Sequence, residues 1–501
     1  MDSTFLELKE RLAKIHDLGA VEGILSWDQQ TKMPPRAGEV RSAQIATIVG
    51  LQHELFTSDE TGRLLDSLDG FANGQDPSSD EARLIRVTQR DWDRVRRVPN
   101  QLASDLAQAA GEGYGAWQQA RANSDFASFV PYLERTIDLK RRYVECFPDV
   151  AEPWDALFED YESGMTAAEV KTVFGRVQAG LTPLMKLIAD NPHAVDDSPL
   201  RGYFPADRQE KLSRRLLSHW GFNDEGWRLD PTAHPFASSA ATTDIRITTR
   251  YDEGYLGASL FGTLHECGHG MYEGGVSTAL ERSPLCRGVS LGLHESQSRM
   301  WENLVGRSPE YWKFAFPIVT EEFPAQFKDV DEATLYRAVN KMAPSFIRVE
   351  ADEASYTLHI VIRFELELAI FRGELQAAEL EEAWNAKYKE YLGIDVPDAA
   401  TGVLQDVHWS LGLMGYFPCY ALGNLLSCQI WDRMNGDIPD ISHKIESWEF
   451  APLQDWLREH LWRHGRKFSP KDTILLAAGA PLNPEPYLTY LTEKVTGLYG
   501  V

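Results

Sequence analysis

Apolar residues recur at helical spacing along most of this chain. Near its start the spacing is followed by Leu6, Leu8, Leu12, Ile15 and Leu18, and it returns in residues 358–371. The strict alternation of a half-buried strand is confined to residues 244–251. Because helices and strands bury one face at different periods, the pattern predicts a mainly α-helical fold with a small minor β-sheet.

A single large unit is the simplest organisation for the 501 residues. The turn-rich breaks, such as those at residues 70–80 and 190–202, are short and lack the composition of a flexible linker. No internal repeat divides the chain into modules. We therefore expect a single domain over residues 1–501, with two lobes around a cleft that holds the functional site.

The charge balance excludes one group of partners. The chain carries 50 Lys and Arg against 75 Asp and Glu, which gives a formal net charge of −25. Because nucleic acids and anionic membranes are polyanions, we expect neither as a partner. No apolar run is long enough to predict a transmembrane helix.

The cysteines and the first residues indicate the compartment. The five cysteines are an odd number and form no C-x-x-C pair, which argues against a disulfide framework and favours a reducing environment. The opening MDSTFLELKE has no basic segment followed by an apolar run, so no secretory signal is expected. The sequence therefore predicts a cytoplasmic protein.

Residues 265–269 read HECGH, an H-E-x-x-H motif. On a helix, positions four apart share one face, so His265 and His269 can bind one metal ion while Glu266 serves as a general base. Cys267 lies on a different, apolar face and is not expected to be a ligand. The alternative is a helix with two ordinary polar histidines.

A third metal ligand is needed, because catalytic zinc has three protein ligands and one open position. The segment GLHESQSRMWE at residues 292–302 offers Glu295 and His294 on a predicted helix. Spacing alone does not choose between them, and the unchosen histidine would be a hydrogen-bond partner of the metal site. Glu295 could also be an ordinary solvated carboxylate.

Several segments match one known family in order along nearly the whole chain. They are WDQQTKMPP at 27–35, DALFEDYESGMT at 155–166, HPF at 234–236, DIRIT at 244–248, HECGH at 265–269, HESQS at 294–298, IRVEAD at 347–352 and GVLQDVHW at 402–409. On these motifs the chain resembles the carboxypeptidase Taq family of zinc metallocarboxypeptidases. H-E-x-x-H is shared by many metalloproteases, but the combination is specific.

The resemblance implies a fold and an activity. It implies a large helical clamp around a deep central groove, similar to that of the neurolysin-like oligopeptidases of the gluzincin class, and Glu295 as the third zinc ligand. It also implies a cytoplasmic homodimer that removes single residues from peptides with a free C-terminus. Broad specificity with poor release of proline follows from the same resemblance. Zn²⁺ is the metal that the motif predicts, with Co²⁺ or Mn²⁺ as alternatives because they can occupy the same ligands.

Polar residues near 402–420 are candidates for stabilising a tetrahedral transition state. His408 belongs to the family motif, and Tyr416 and Tyr420 follow it in a glycine-bounded loop. For either tyrosine a packed aromatic ring is an equally good interpretation. Asp406 is a candidate acceptor that orients His408 or a metal-binding histidine.

A carboxypeptidase must bind a free carboxylate, for which arginine is the natural partner. Two arginines stand in family motifs, and the resemblance favours Arg348 as the main anchor, with Arg246 as an assistant or as a closure of the groove. A surface ion pair is the alternative for each. The strand at residues 244–251 is also expected to pair with extended substrate if it lies at a sheet edge.

Three rival functions remain. A zinc endopeptidase would share the fold, and GVSLG at residues 288–292 matches the serine-hydrolase pattern with Ser290 as nucleophile, although that pattern needs a strand before it and a helix after it. A non-catalytic peptide-binding protein is the third rival.

A basic stripe at helical spacing is formed by Arg83, Arg86, Arg90, Arg94 and Arg97. It is expected to be a solvated face paired with nearby acids.

Overall fold

The computed structural model describes residues 2–500 and is mainly α-helical. The helices in chain order are α1 (Ser3–Thr31), α2 (Gly38–Thr57), α3 (Asp59–Asn73), α4 (Asp80–Arg97), α5 (Asn100–Asn123), α6 (Phe126–Glu145), α7 (Pro153–Phe158), α8 (Ala167–Asp190), α9 (Ala206–Ser218), α10 (Leu256–Gly275), α11 (Leu291–Arg299), α12 (Pro309–Glu322), α13 (Glu332–Val339), α14 (Tyr356–Arg372), α15 (Leu380–Leu392), α16 (Pro418–Asp437), α17 (Ile441–Glu446), α18 (Ala451–His460), α19 (Pro470–Ala478) and α20 (Glu485–Tyr499). A π-helical turn at Met300–Val305 continues α11. The predicted fold class is confirmed.

Side chains at the helix starts explain several of these boundaries. Ser79 precedes α4, and its hydroxyl accepts a hydrogen bond from the backbone N–H of Ala82. Thr166 and Glu169 form a reciprocal capping box at the start of α8. Such caps satisfy backbone donors that have no partner inside the helix, so they fix where each helix begins.

The minor sheet has three strands, β1 (Trp227–Pro231), β2 (Ala237–Ala241) and β3 (Asp244–Thr249). Their order is β1-β3-β2, with β3 parallel to β1 and antiparallel to β2. The strand predicted from alternation is therefore the central one, and the expectation that it offers a free edge to substrate is wrong. The edges are β1 and β2, and the sequence of β2, ASSAA, has no alternating pattern to reveal it.

The large hydrophobic core is built around α8, α10, α14 and α16. Helix α14 is buried on nearly every face, with Leu358, Ile362 and Leu366 at most 1% exposed, which explains why most of residues 358–371 are apolar. A separate small cluster joins α1, α3 and α4 to Leu280 and Leu285. The division into two lobes stays a prediction.

All five cysteines are free thiols. Across residues 2–500, none of the helices combines the length and apolar character that a membrane crossing requires.

Candidate metal centre and active site

The HECGH motif lies within α10, as the sequence predicts. The rings of His265 and His269 are on one face of this helix, with centroids 5.0 Å apart. Cys267 is fully buried in the large core, so it faces away from the two histidines. Glu266 is 6% exposed. The helix therefore presents two histidines together and places a carboxylate beside them.

Helix α11 crosses α10 and α16 at very short range, which brings Glu295 to the histidines. A Cβ atom at position 268 would lie 2.6 Å from the carbonyl oxygen of Gln297, and one at position 423 would overlap the side chain of Glu295. Glycine alone lets backbones approach this closely. Gly268 of the HECGH motif and Gly423 of α16 therefore fix the position of Glu295.

The start of α11 accounts for Ser290. Its hydroxyl accepts a hydrogen bond from the N–H of Leu293 and donates one to Oε1 of Glu162 at 2.7 Å. The other oxygen of Glu162 accepts from the N–H of Gly292 at 3.0 Å. Ser290 is thus a helix cap whose proton is already committed. It follows turns rather than a strand, so the context that the serine-hydrolase pattern requires is missing.

Three side chains converge on one point. Oε2 of Glu295 lies 3.4 Å from Nε2 of His269 and 3.6 Å from Nε2 of His265, and one atom from each residue lies within 4.8 Å of the others. Nitrogen and oxygen ligands about 2.0–2.2 Å from a tetrahedral zinc ion are about 3.3–3.6 Å apart. The donor set therefore fits a zinc ion. Among the side chains of residues 2–500 that can bind a metal, these three form the group that is close enough together to hold one ion.

His294 is the hydrogen-bond partner of a histidine in the site, which is the second of the two roles that spacing left open for it. Its Nδ1 lies 2.5 Å from Nδ1 of His269, and its Nε2 lies 2.8 Å from Oε1 of Glu273. Because the carboxylate accepts only, Nε2 of His294 donates to Glu273, and its Nδ1 is left to accept from His269. Nε2 of His269 then carries no proton and is free to bind a metal ion. Burial lowers the pKa of His269 to about 3.

Glu302 fixes the tautomer of His265, as His294 does for His269. Its Oε2 lies 2.9 Å from Nδ1 of His265, so it accepts that proton and leaves Nε2 facing Glu295. Burial alone would raise the pKa of Glu302, but Arg299 and His265 lower it to about 2. Neither Glu302 nor Glu273 was identified from the sequence. Glu273 lies one helical turn beyond His269 on α10, which was the available signal.

Glu266 is the carboxylate of the site that has no donor. The carboxylates of Glu295 and Glu302 both accept hydrogen bonds from Arg299, whereas no described residue donates to Glu266. Burial raises the pKa of Glu266 to about 7. A carboxylate in this state can exchange a proton near neutral pH.

The predicted aromatic and histidine group is assembled in one place. Nε2 of His408 lies 3.2 Å from the hydroxyl of Tyr420, and the rings of Tyr416 and Tyr420 are 5.3 Å apart. Nδ1 of His408 is buried without a hydrogen-bond partner among the described residues. Burial lowers the pKa of His408 to about 4, so this imidazole is neutral at pH 7.

Arg348 is 5% exposed and joins this group. Its Nε and Nη2 donate to Oδ1 of Asp406 at 3.0 and 2.8 Å, and its Nη1 donates to the hydroxyl of Tyr356 at 3.0 Å. Its guanidinium carbon lies 5.0 Å from the ring centre of Tyr420. Two of its five N–H groups are thus left for another acceptor.

Asp406 does not orient a histidine, so that expectation is wrong. Its Oδ1 accepts from Arg348 and its Oδ2 accepts from Nε of Arg363 at 2.7 Å. Arg363 is completely buried in α14, and a buried guanidinium needs a carboxylate partner. Pairing Asp406 with the buried charge of Arg363 is therefore favoured over a hydrogen bond to the neutral His408. Arg363 was missed because it stands in a mostly apolar helix, where the sequence does not show which carboxylate it pairs with.

Arg246 lies on β3 and has other partners. Its Nε and Nη2 donate to the two oxygens of Asp244 at 2.8 and 2.9 Å, and its guanidinium carbon is 4.6 Å from the ring centre of Trp27. No hydrogen bond or ion pair in residues 2–500 joins it to Arg348, His408 or the metal-site carboxylates. Its role in binding substrate stays a prediction.

Known proteins are similar to this chain along nearly its whole length. A family model described as the carboxypeptidase Taq (M32) metallopeptidase matches residues 7–495. Thermostable carboxypeptidase 1 of Thermus thermophilus is 40% identical over 504 residues, which covers 99% of this chain and 98% of that protein. Carboxypeptidase 1 of Bacillus subtilis is 36% identical over 498 residues, with 99% and 98% covered.

Solved structures show the same fold. The crystal structure of an M32 carboxypeptidase from Deinococcus radiodurans has a TM-score of 0.97 at 38% identity and covers 100% of both chains. The carboxypeptidase of Pyrococcus furiosus, in a structure described as Apo-Mg, has a TM-score of 0.95 at 32% identity and covers 99% of both chains.

Proposed function

Because the chain belongs to the carboxypeptidase Taq (M32) family of metallopeptidases and is a metallocarboxypeptidase, we propose that it releases C-terminal residues from peptides by zinc-assisted attack of water. We further propose broad side-chain specificity with poor release of proline. The observation that carries the mechanism is the convergence of His265, His269 and Glu295 beside the free carboxylate of Glu266.

His265, His269 and Glu295 would hold the metal ion, because the free oxygen of Glu295 has the separation from each Nε2 that a tetrahedral ion requires. A zinc ion in that place, or Co²⁺ or Mn²⁺, would supply Lewis acidity towards a water molecule and a peptide carbonyl. Glu302 and the His294–Glu273 pair keep the two histidines in the tautomers that leave Nε2 available.

Glu266 would act as the general base and then as the general acid. With no donor to hold its proton-accepting oxygens, it can take a proton from the attacking water. The same carboxyl group can then deliver that proton to the leaving amine. Its burial supports this double role, because desolvation moves its pKa to about 7.

The developing negative oxygen needs hydrogen-bond donors. Tyr420 supports this role best, because its hydroxyl lies beside Nε2 of His408 and burial raises its pKa well above the ordinary value, so the phenol keeps its proton. His408, which is neutral, and Tyr416 complete the group. Both tyrosine rings contact His408, with ring centres 5.4 Å away for Tyr416 and 6.0 Å for Tyr420, but among the described residues only Tyr420 has a hydrogen bond with it.

Arg348 would bind the terminal carboxylate of the peptide. Asp406 and Tyr356 fix its guanidinium, and two N–H groups stay available for one carboxylate. Arg299 stacks on Tyr356, with its guanidinium carbon 4.4 Å from the ring centre, and also donates to Glu295. The anchor is thus close to the metal residues through one intervening ring, which suits removal of a single residue. Arg246 is proposed as an accessory that closes the groove.

The direct test uses two N-blocked dipeptides that differ only in a free or an amidated C-terminus. We expect cleavage of the free acid alone, and loss of that cleavage when a chelator removes the metal. Similar rates on both peptides would identify an endopeptidase. Activity that survives complete metal removal would reject the metal mechanism.

The resemblance to the family also supports two proposals on assembly and location. We propose that the protein is a homodimer and that it acts in the cytoplasm. Sedimentation of the purified chain tests the first proposal, and fractionation of cells that express it at its natural level tests the second.

A further inference from the structure

A large cavity lies next to the metal site. Its volume is about 1330 Å³, and its walls come from α1, α2, α4, β2 and residues 281–287. His294 and Glu273, which hold His269 in place, also line it. The cavity therefore begins one contact beyond a metal-binding histidine.

The anchor for the terminal carboxylate lies in the other direction. From Glu295 the contacts lead through Arg299 and Tyr356 to Arg348, and neither Tyr356 nor Arg348 lines the cavity. A peptide with its carboxylate at Arg348 and its scissile bond at the metal site can extend its N-terminal part into the cavity, because the cavity begins at the partners of His269 and does not contain the anchor. This step rests on the proposed function.

The carboxylates of the cavity wall are already satisfied. Each accepts at least one hydrogen bond from a side chain or a backbone N–H. These carboxylates belong to Asp17, Glu22, Asp91, Glu159, Asp160, Glu273 and Glu281.

Four of the five arginines on the wall are satisfied as well. Arg90 and Arg466 share Asp91, at 3.0 and 2.8 Å. The remaining ion pairs are Arg94 with Asp160 at 2.6 Å and Arg282 with Asp17 at 2.5 Å. Two of these arginines, Arg90 and Arg94, come from the basic stripe of α4.

Arg287 is the fifth, and no described residue forms an ion pair or a side-chain hydrogen bond with it. Its side chain is exposed on the cavity wall. The surrounding protein displaces part of its water shell and, with the charge of Arg466, lowers its pKa to about 10, so it stays charged at pH 7. A partly desolvated guanidinium without a partner favours an incoming carboxylate.

We propose that Arg287 forms a subsite that favours an acidic side chain in the N-terminal part of the peptide substrate. Its position follows from contacts. Gly288, the next residue, donates from its backbone to Glu273 at 3.0 Å, and Glu273 holds His294 against His269. Arg287 therefore lies beyond the partners of His269, so the subsite belongs to a residue upstream of the one whose carbonyl is attacked. Because an extended peptide advances about 3.3 Å per residue, we place it at the third residue before the scissile bond.

The test compares acetyl-Glu-Ala-Ala-Phe with acetyl-Gln-Ala-Ala-Phe on the metal-replete enzyme. We expect kcat/KM for the acidic peptide to be about two- to fivefold higher, as for a solvent-accessible ion pair, and this ratio to fall with added salt. In Arg287→Gln the ratio should fall to about one, and Arg287→Lys should keep part of it.

Arg282→Gln is the matched control, because it removes the same charge from the same wall but from an arginine that is already paired. Its ratio should equal that of the parent enzyme. A parent ratio of one, or an unchanged ratio in Arg287→Gln, would overturn the subsite while leaving the carboxypeptidase function intact. Absence of cleavage of either peptide would instead count against the proposed function itself.

Discussion

Arg299 holds one oxygen of Glu295 and leaves the other free. Its Nε donates to Oε1 at 2.7 Å, while Oε2 is the oxygen that faces His265 and His269. Nη1 of Arg299 also donates to Glu302 at 3.2 Å. One guanidinium thus aligns a carboxylate of the candidate metal site and the partner of one of its histidines, so Glu295 can offer a single oxygen.

We expect Arg299→Lys to weaken metal binding by about 10- to 100-fold, the range found when residues around a metal site are replaced. The lysine keeps the charge but cannot reproduce the fork, so the loss reports on orientation. Competition with a chelator of known affinity measures it. Arg201→Lys is a matched control, because Arg201 pairs with Asp197, also four residues away, on the surface and far from the metal site in the contact network. Equal metal affinity in Arg299→Lys and Arg201→Lys would contradict the account.

Glu266→Gln separates metal binding from proton transfer. Glutamine has nearly the same shape but cannot accept a proton, so kcat should fall by about 10²- to 10⁴-fold. Metal content should stay at the parent value, since the ligands are unchanged. Steady-state kinetics and metal analysis of one preparation check both. A fully active variant would remove Glu266 from the mechanism.

Gly423→Ala tests the close crossing of α11 and α16. The new Cβ would overlap Glu295, so we expect a loss of about 1–3 kcal/mol in the free energy of unfolding together with weaker metal binding. Gly436→Ala in the same helix meets open space and should stabilise the protein slightly, because alanine is the better helix former. Denaturant titration compares the two. Similar effects at both positions would show that the crossing is not tight.

Glu162 predicts a dependence of stability on pH. Burial raises its pKa from 4.5 to about 7, so the folded state favours the protonated form. Its stabilising contribution is complete below pH about 4.5 and is lost as the pH rises through about 7.

We expect Glu162→Gln to remove this dependence, because glutamine stays neutral. The parent protein should lose about 2–3 kcal/mol of stability relative to the variant between pH 5 and pH 8. Unfolding of metal-free protein at the two pH values measures this difference. Parallel stability changes in the two proteins would mean that Glu162 is ionised throughout.

Local sequence rules were sufficient where the chemistry depends on one helix. The spacing of His265 and His269 placed both on one face of α10 because residues four apart on a helix are neighbours. Spacing could not choose between His294 and Glu295, because adjacent residues on α11 point in directions about 100° apart. That choice depends on where α11 crosses α10, which Gly268 and Gly423 decide.

Contacts between distant segments were harder to predict. Asp406 binds Arg348 and Arg363, and the second of these stands in a helix with no amphipathic pattern. The edge position of β2 was hidden by its small residues. The unpaired state of Arg287 appears only after every neighbouring charge has been placed. Such features depend on which residues the fold brings close together, and the order of residues along the chain does not show this.

The central claim is that a single metal ion, held by His265, His269 and Glu295, makes this chain a carboxypeptidase. The most direct measurement is a titration of the metal-free protein with Zn²⁺ while release of the C-terminal residue from a blocked peptide is followed. Activity should rise linearly and stop rising at one zinc ion per chain. Full activity before any zinc is added, or a break at a different ratio, would contradict the account.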